Sequence, residues 1–293
     1  MFNKIRILFR CIYGYLIKWQ IDCLGIRGIQ KLSQQNDSLS PCLTVSLTSY
    51  GRRVKNNIVY YTIVSLLRQT KRPNRIILWL DELKWNENNL PKRLNSLREY
   101  GVEILFCKDL KSYTKLIPTL QKYSNDIIVT VDDDVYYSSR LLEILYNGYL
   151  QDSSQIYCIR GLEPKFDMEG HILSYNKWEI QPRVNSPYLF PMGVGGVLYP
   201  PFALYSDTCN ENLFLKLSPY GDDLWFWMMA LKQKTSRCLL PFNWQRNYPL
   251  DTLYQYFHKG SALAHINTQQ CFNDEQLAKI LKYYGIKKKK DFL

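Results

Sequence analysis

From residue 42 onward, short apolar runs alternate with polar stretches of helical period. Cys42 to Leu47 (CLTVSL) reads as a strand, followed by the polar turn Thr48-Ser49-Tyr50-Gly51-Arg52-Arg53. Between Asn57 and Gln69, Ile58, Tyr61, Val64, Ser65 and Leu67 recur near one helical period, and the helix must stop before Pro73. Arg75 to Leu80 (RIILWL) is a second strand ending at Asp81. Pro91 to Tyr100 reads as a helix closed by Gly101, and Val102 to Phe106 as a third strand. Thr114 to Tyr123 reads as a helix despite Pro118, and Asp126 to Val131 (DIIVTV) as a fourth strand. Strands spaced by helical segments of this length predict βαβ units, an α/β class with a mostly parallel sheet flanked by helices. Such sheets bind ligands beyond the carboxyl ends of their strands. That singles out Thr48 to Arg53, Asp81 and Asp132 to Asp134.

The ends of the chain read differently. Ile5, Leu8, Phe9, Ile12 and Leu16 lie at helical spacing, while Lys4, Arg6, Arg10 and Lys18 break up the apolar text. The longest uncharged run, Cys11 to Ile17, is far short of the roughly 20 residues that span a bilayer, and no small-residue cleavage site follows it. A basic amphipathic helix with Trp and Tyr suits the headgroup region of an anionic leaflet, a peripheral seat on the inner face of the cell membrane. Packing on the domain with the basic side solvated is the other reading. The Lys287 to Lys290 run adds to the basic surface. The chain thus divides into 1–41, a basic helix and linker; 42–275, the α/β domain; and 276–293, a basic helix or tail.

Composition narrows the classes. The 293 residues carry 38 Lys and Arg against 26 Asp and Glu, a formal net charge of +12, and 46% are hydrophobic. That is enough apolar material for an enzyme-sized core, and there is no collagen-like, low-complexity or repeat pattern. The excess charge is scattered and lacks a zinc finger, an RRM signature or a basic zipper, so nucleic acid is not the expected partner. Eight cysteines without a C-x-x-C pair fit neither a zinc ribbon nor a small disulfide scaffold. They predict reduced thiols and a cytoplasmic location.

The strongest chemical signal is Asp132-Asp133-Asp134 directly after the fourth strand. Three adjacent carboxylates repel one another unless a cation or donors neutralise them. Mn²⁺ or Mg²⁺ bound by hard oxygens, with a substrate diphosphate completing the shell, fits that pattern. A solvated acidic turn is the plain alternative. A haloacid-dehalogenase-type phosphatase also uses D-x-D after a strand, but its pattern has Thr or Val where this chain has Tyr136.

With this cluster, the polar turn after the first strand, Asp81, and the later Gly221-Asp222-Asp223-Leu224-Trp225, residues 42 to 275 resemble the GT-A glycosyltransferases. The likeness is closest to the bacterial family 2-like enzymes of surface polysaccharide synthesis. The resemblance implies a metal-dependent, hexosyltransferase-type activity. A sugar would pass from a nucleotide-diphosphate sugar to a hydroxyl of a glycan or lipid-linked glycan. Asp132 would face the nucleotide sugar, with Asp133 beside it, and Asp134 would bind the metal. Asp81 would lie near the base or ribose, Thr48, Ser49 and Tyr50 would frame the nucleotide, and Lys115 or Arg52 would face the diphosphate.

Two further stretches complete the expectation. Pro191 to Pro201 holds three glycines within four residues, 193, 195 and 196, which lets the backbone approach a ligand closely or simply turn. Gly195 and Gly196 are expected to border the sugar and acceptor, with Trp225 also on that side. Asp222 and Asp223 open an apolar helix, where the macrodipole favours ionised carboxylates and where Asp also serves as an ordinary cap. In the resembling family an acidic pair here supplies the general base, which implies Asp223, with Asp222 as the alternative. A single displacement with that base inverts the anomeric centre. The resemblance further implies a histidine on the metal: His265, followed by His258. A retaining transferase, and a non-catalytic membrane-associated nucleotide- or sugar-binding protein, are the competing readings.

Overall fold

The computed structural model describes residues 2–26, 28–32, 41–182, 186–243, 246–258 and 272–292. Its strands are β1 (Leu43–Thr48), β2 (Arg75–Asp81), β3 (Val102–Cys107), β4 (Ile127–Thr130), β5 (Val135–Tyr136), β6 (Ile156–Cys158), β7 (Gly161–Glu163), β8 (Glu179–Ile180), β9 (Phe190–Pro191), β10 (Val197–Tyr199), β11 (Arg237–Leu239) and β12 (Tyr248–Pro249). Seven of them form one sheet in the order β11-β6-β10-β4-β1-β2-β3. β1 is an inner strand, with Val45 between Ile76 of β2 and Val129 of β4, both parallel. Only β10 runs antiparallel, between β4 and β6. This is the α/β, mostly parallel architecture that the strand spacing predicts.

The alternation in β1 explains its place. Leu43, Val45 and Leu47 enter one core with Ile76, Leu78 and Leu80, while Thr44, Ser46 and Thr48 point to the other face. There Ser46 Oγ lies 2.7 Å from Thr119 Oγ1, and Trp79 Nε1 donates to that same Thr119 oxygen at 2.7 Å. A polar lattice therefore pins the segment Ile117–Lys122 against the sheet, and every buried hydroxyl in it has a partner.

The helices are α1 (Phe2–Leu24), α2 (Gly51–Lys55), α3 (Ile58–Leu67), α4 (Lys92–Asn95), α5 (Ile117–Lys122), α6 (Leu141–Gln151), α7 (Glu211–Leu217), α8 (Asp222–Lys232) and α9 (Thr252–Phe257), followed by a helix over Phe272–Tyr284. Helix α3 is buried on every side rather than along one stripe. Two of its hydroxyls have specific tasks: Thr62 donates to the Asp133 carbonyl at 2.6 Å, and Ser65 accepts from the Tyr137 N–H at 3.1 Å. The helix expected from Pro91 to Tyr100 is shorter, α4 passing into a 3₁₀ turn over Ser96–Tyr100, and Gly101 closes it at φ 86°. Pro118 sits in the first turn of α5, where no N–H is needed.

A second core lies under α8, whose Leu224 to Leu231 are all buried. Leu277 and Ile280 of the last helix and Phe292 pack into the same core, so the basic C-terminal segment is anchored by its apolar side. Between β4 and β5 lie Asp132 to Asp134. β5 pairs with β12, which brings Asp251 and α9 against the acidic cluster from far along the chain. Among the described residues all seven cysteines are free thiols.

Candidate active site

The site is built at the carboxyl ends of β1 and β4, where the side chains form two cation-centred groups. In the first, Lys115 is only 6% exposed, at the foot of α5. Its Nζ lies 2.9 Å from Asp222, 3.2 Å from Asp132 and 3.9 Å from Asp223. Burial alone would lower the ammonium's pKa, but the three carboxylates outweigh it and hold the pKa well above the usual lysine value. In the second group, Arg53 of α2 reaches both Asp133 and Asp134, the latter at 2.8 Å, and its Nε lies 3.7 Å from Asp251. Again burial opposes the charge and the carboxylates more than offset it.

The three consecutive aspartates therefore have three different environments. Asp133 is buried, accepts from Ser49 Oγ at 2.5 Å and from Arg53, and locks the turn. Asp134 takes Arg53 and the Gln255 amide of α9, while its carbonyl accepts the Leu250 N–H at 2.8 Å. Burial pushes the Asp134 carboxyl up to about 7; Arg53 works against that shift, and Asp133 and Asp132 add to it. Asp132 keeps 31% of its side chain open. Its backbone N–H is held at 2.9 Å by Tyr137 Oη, which in turn donates to the Val194 carbonyl at 3.3 Å. One tyrosine thus ties the acidic turn to the glycine stretch.

Asp223 also keeps 31% of its side chain open, and its Oδ2 accepts the Gly193 N–H at 2.9 Å. Burial pushes it up to about 7, with Lys115 lowering and Asp222 raising it. A carboxyl poised there can accept a proton near neutral pH. Gly193 stands against the cluster: a Cβ on it would sit 2.8 Å from both Asp223 Oδ1 and Lys115 Nζ and would displace one of them.

The structure brings Ser49, Lys115, Asp132, Asp133, Asp134, Asp222 and Asp223 into one region. The other expected residues lie at the edge of this cluster or outside it. Arg52 pairs with Asp251 and stacks over the Tyr254 ring at 3.5 Å. The neighbouring Arg53, which lies in the turn singled out from the sequence but carries no role of its own there, holds the acidic turn. Thr48 spends its hydroxyl on the Trp79 carbonyl at 3.0 Å, and Tyr50 is an exposed residue ahead of α2. Asp81 ends β2, on the far side of β1 from β4, accepting from Leu83 N–H at 3.0 Å and pairing with Lys84 at 3.3 Å.

Gly195 and Gly196 do not face the cluster. A Cβ on Gly195 would meet Arg160 at 2.7 Å, and Gly196, at φ 92°, backs onto Leu141. Trp225 is no acceptor wall: it is fully buried in the second core and its Nε1 donates to the Thr208 carbonyl at 3.1 Å. The helix it belongs to is apolar all round, so core packing claims the indole. His265 lies outside the described residues. His258 stacks on Tyr254 at 4.0 Å, with Nδ1 3.0 Å from the Tyr254 carbonyl.

Arg160, Asp251 and Gln255 are the residues that sequence reasoning missed, and of the three glycines it is Gly193, not Gly195 or Gly196, that touches the cluster. Arg160 lies near enough to Arg10 and Asp132 for their charges to act on it; burial first, and Arg10 next, lower its pKa. A cleft of about 410 Å³ opens beyond Arg52, walled by α1 and α9. It includes Asp251 but none of Asp132, Asp222 and Asp223.

Mn²⁺ and Mg²⁺ call for several convergent oxygen ligands. Among the described residues no group of three His, Cys, Asp or Glu side chains is arranged to hold a metal ion. The carboxylates that could converge on one are gathered on Lys115 and Arg53 instead. In particular Asp134, the expected metal ligand, is taken by Arg53 and Gln255. As arranged, these residues do not fit a divalent ion.

No family model matches the chain, and no curated protein matches it. Among solved structures, the crystal structure of S. aureus TarS 1–349 is similar with a TM-score of 0.45 at 15% identity, over 82% of this chain and 70% of that one. CMP:2-keto-3-deoxy-manno-octonic acid synthetase complexed with CTP is similar with a TM-score of 0.41 at 11% identity, over 68% of this chain and 88% of that one. Likenesses of this size say nothing about substrate or reaction.

Proposed function

We propose that the chain is a glycosyltransferase that moves a sugar from a nucleotide-diphosphate donor to an acceptor hydroxyl. The observation that carries the reading is Asp223. It is a half-open carboxyl at the start of α8, held by the Gly193 N–H at 2.9 Å, with its pKa pushed up to about 7. It faces the same buried Lys115 as Asp132. A base on one side and the open carboxylate of the acidic turn on the other, at the carboxyl ends of a parallel sheet, suit a donor sugar held between them.

In the proposed step the Asp223 carboxylate takes the proton of the acceptor hydroxyl. The acceptor oxygen bonds to the anomeric carbon, the bond from that carbon to the phosphate oxygen breaks, and the electron pair leaves with the nucleoside diphosphate. Attack opposite the leaving group inverts the anomeric centre. Asp132 accepts hydrogen bonds from donor hydroxyls, and Arg160 meets the diphosphate charge. Lys115 and Arg53 keep the five aspartates of the site from repelling one another, which fixes Asp223 for the transfer. A glycan or lipid-linked glycan of the cell surface is the acceptor class that goes with this reading.

The test is equilibrium binding of UDP-, GDP- and dTDP-sugars to the full chain, read by calorimetry. Saturable binding of one nucleotide class, weakened in Asp132→Ala and in Arg160→Ala, is the expected result. Equal indifference to all three classes sinks the reading.

A further inference from the structure

Helix α1 has two apolar faces, and the domain covers one of them. Cys11, Gly14, Ile17 and Ile21 are buried against the β12 and α9 region. At 100° per residue these four positions gather on one side of the helix. Leu8, Phe9, Ile12, Leu16 and Trp19 gather on the opposite side and stand in the open, Phe9 at 66% and Trp19 at 65% exposure. Tyr13 and Tyr15 are exposed beside them. The apolar surface continues onto α9, which touches α1 and exposes Leu253 and Phe257.

Charge borders this surface. On the helical wheel Lys18 falls on one border of it. Lys18 donates to the Leu250 carbonyl at 2.9 Å, which holds its stem along the edge. The one acidic residue of α1, Asp22, is neutralised by Arg93 at 2.5 Å. With Asp22 paired to Arg93, the described border of the patch carries the positive charge of Lys18.

We infer that α1 seats the protein on an anionic lipid bilayer, lying flat with Leu8, Phe9, Ile12, Leu16 and Trp19 in the acyl boundary and its basic border among the headgroups. An open apolar sector of this size on a water-soluble surface calls for a cover. A second copy would bring two basic borders together in a chain of net charge +12, whereas an anionic leaflet supplies an apolar interior and negative headgroups at once. Trp and Tyr belong at that boundary. The helix cannot turn to cross the bilayer, because its other face is packed on the domain. Among the described residues, moreover, no helix is long and apolar enough to cross a membrane.

The seat lies next to the site. The buried face of α1 rests on Pro249 and Leu250, and the next residue, Asp251, holds Arg52 and Arg53. Arg10 of α1 lies near enough to Arg160 to lower its pKa. Docking therefore brings the α9 wall of the acidic cluster to the membrane surface.

The test is flotation of the full chain with vesicles of equimolar phosphatidylglycerol and phosphatidylcholine, and with phosphatidylcholine alone. The wild type is expected to float with the anionic vesicles and much less with the neutral ones, and to be released by salt. Phe9→Ser, Ile12→Ser, Leu16→Ser and Trp19→Ser together are expected to lower partitioning by about a hundredfold or more, with the unfolding midpoint unchanged because these side chains are exposed. Absence of the wild type from the anionic vesicles overturns the inference, as does equal flotation of the fourfold variant. A dimer in solution that the fourfold variant dissolves, with no vesicle binding, assigns the face to a second copy and overturns it too. Flotation needs no nucleotide sugar, so its outcome is independent of the proposed reaction.

Discussion

Replacing Lys115 by Met removes the cation shared by Asp132, Asp222 and Asp223 while keeping the length of the stem. At an effective dielectric of about 20, charges 3 to 4 Å apart interact by about 4–6 kcal/mol per pair. Three such contacts, at 2.9, 3.2 and 3.9 Å, are opposed by the burial of the ammonium and by repulsion among the carboxylates. Asp132 and Asp223 are each 31% open, so solvent screens part of their share. The net loss expected is about 3–5 kcal/mol, the usual result of stranding buried charge. The loss also has a pH signature. Without the ammonium Asp223 binds its proton more tightly, so protonation there can relieve the repulsion at low pH but not at high pH. Urea unfolding followed by tryptophan fluorescence at pH 5 and pH 8 should therefore show the larger loss at pH 8. Adding Asp222→Asn should return a measurable part of the stability, a coupling that distant sites lack. A loss below about 1 kcal/mol, or one equal at both pH values and unaffected by Asp222→Asn, would refute the account of a cation-centred cluster.

Three further outcomes follow from the same geometry. Asp223, pushed up to about 7, must be ionised to act as a base, so donor turnover should rise with pH through about 7. Asp222→Asn should move that inflection down because it removes a neighbouring negative charge; an unmoved inflection would count against Asp223 as the titrating group. The stability contribution of Asp223 has the opposite sense: with the folded pKa raised, it is full below the unfolded value near 3.9 and is lost as pH rises through about 7. Gly193→Ala places a Cβ 2.8 Å from Asp223 Oδ1 and Lys115 Nζ, so turnover should fall at least tenfold, with unimpaired turnover contradicting the close approach. Arg53→Gln releases Asp133 and Asp134, so titration calorimetry should find Mn²⁺ bound more tightly by the variant than by wild type; the reverse order would show that Arg53 does not occupy the carboxylates in solution.

The parts of the fold visible in the sequence are those written in long apolar runs. β1, β2 and β4 announce themselves because four to seven consecutive residues are buried or nearly so, and β3, an edge strand with Val102 and Ile104 buried, by its apolar residues alone, with the helices falling between them. β6, β10 and β11 have only three residues each, too few to carry a period, so the antiparallel insertion of β10 was not legible. At the site, Asp132 to Asp134 and Asp222-Asp223 stand out because carboxylates beside apolar text need neutralising. What neutralises them does not stand out. Arg52 and Arg53 differ by one helical position, about 100° of rotation, and only the packed structure decides which one turns inward. Asp251 and Gln255 arrive through the pairing of two two-residue strands, β5 and β12, for which no local pattern exists. Trp225 follows an acidic pair and so looks like part of the site, yet its helix is buried throughout and the core takes the ring.

The central claim is that Asp223 takes the proton in a sugar transfer from a nucleotide-diphosphate donor. The most direct measurement is slow hydrolysis of the bound donor by wild type and by Asp223→Asn, with donor affinity measured on both. The account predicts that Asp223→Asn binds the donor as wild type does and turns it over at least a hundredfold more slowly, the loss expected for a general base. Equal turnover by the two proteins would contradict it.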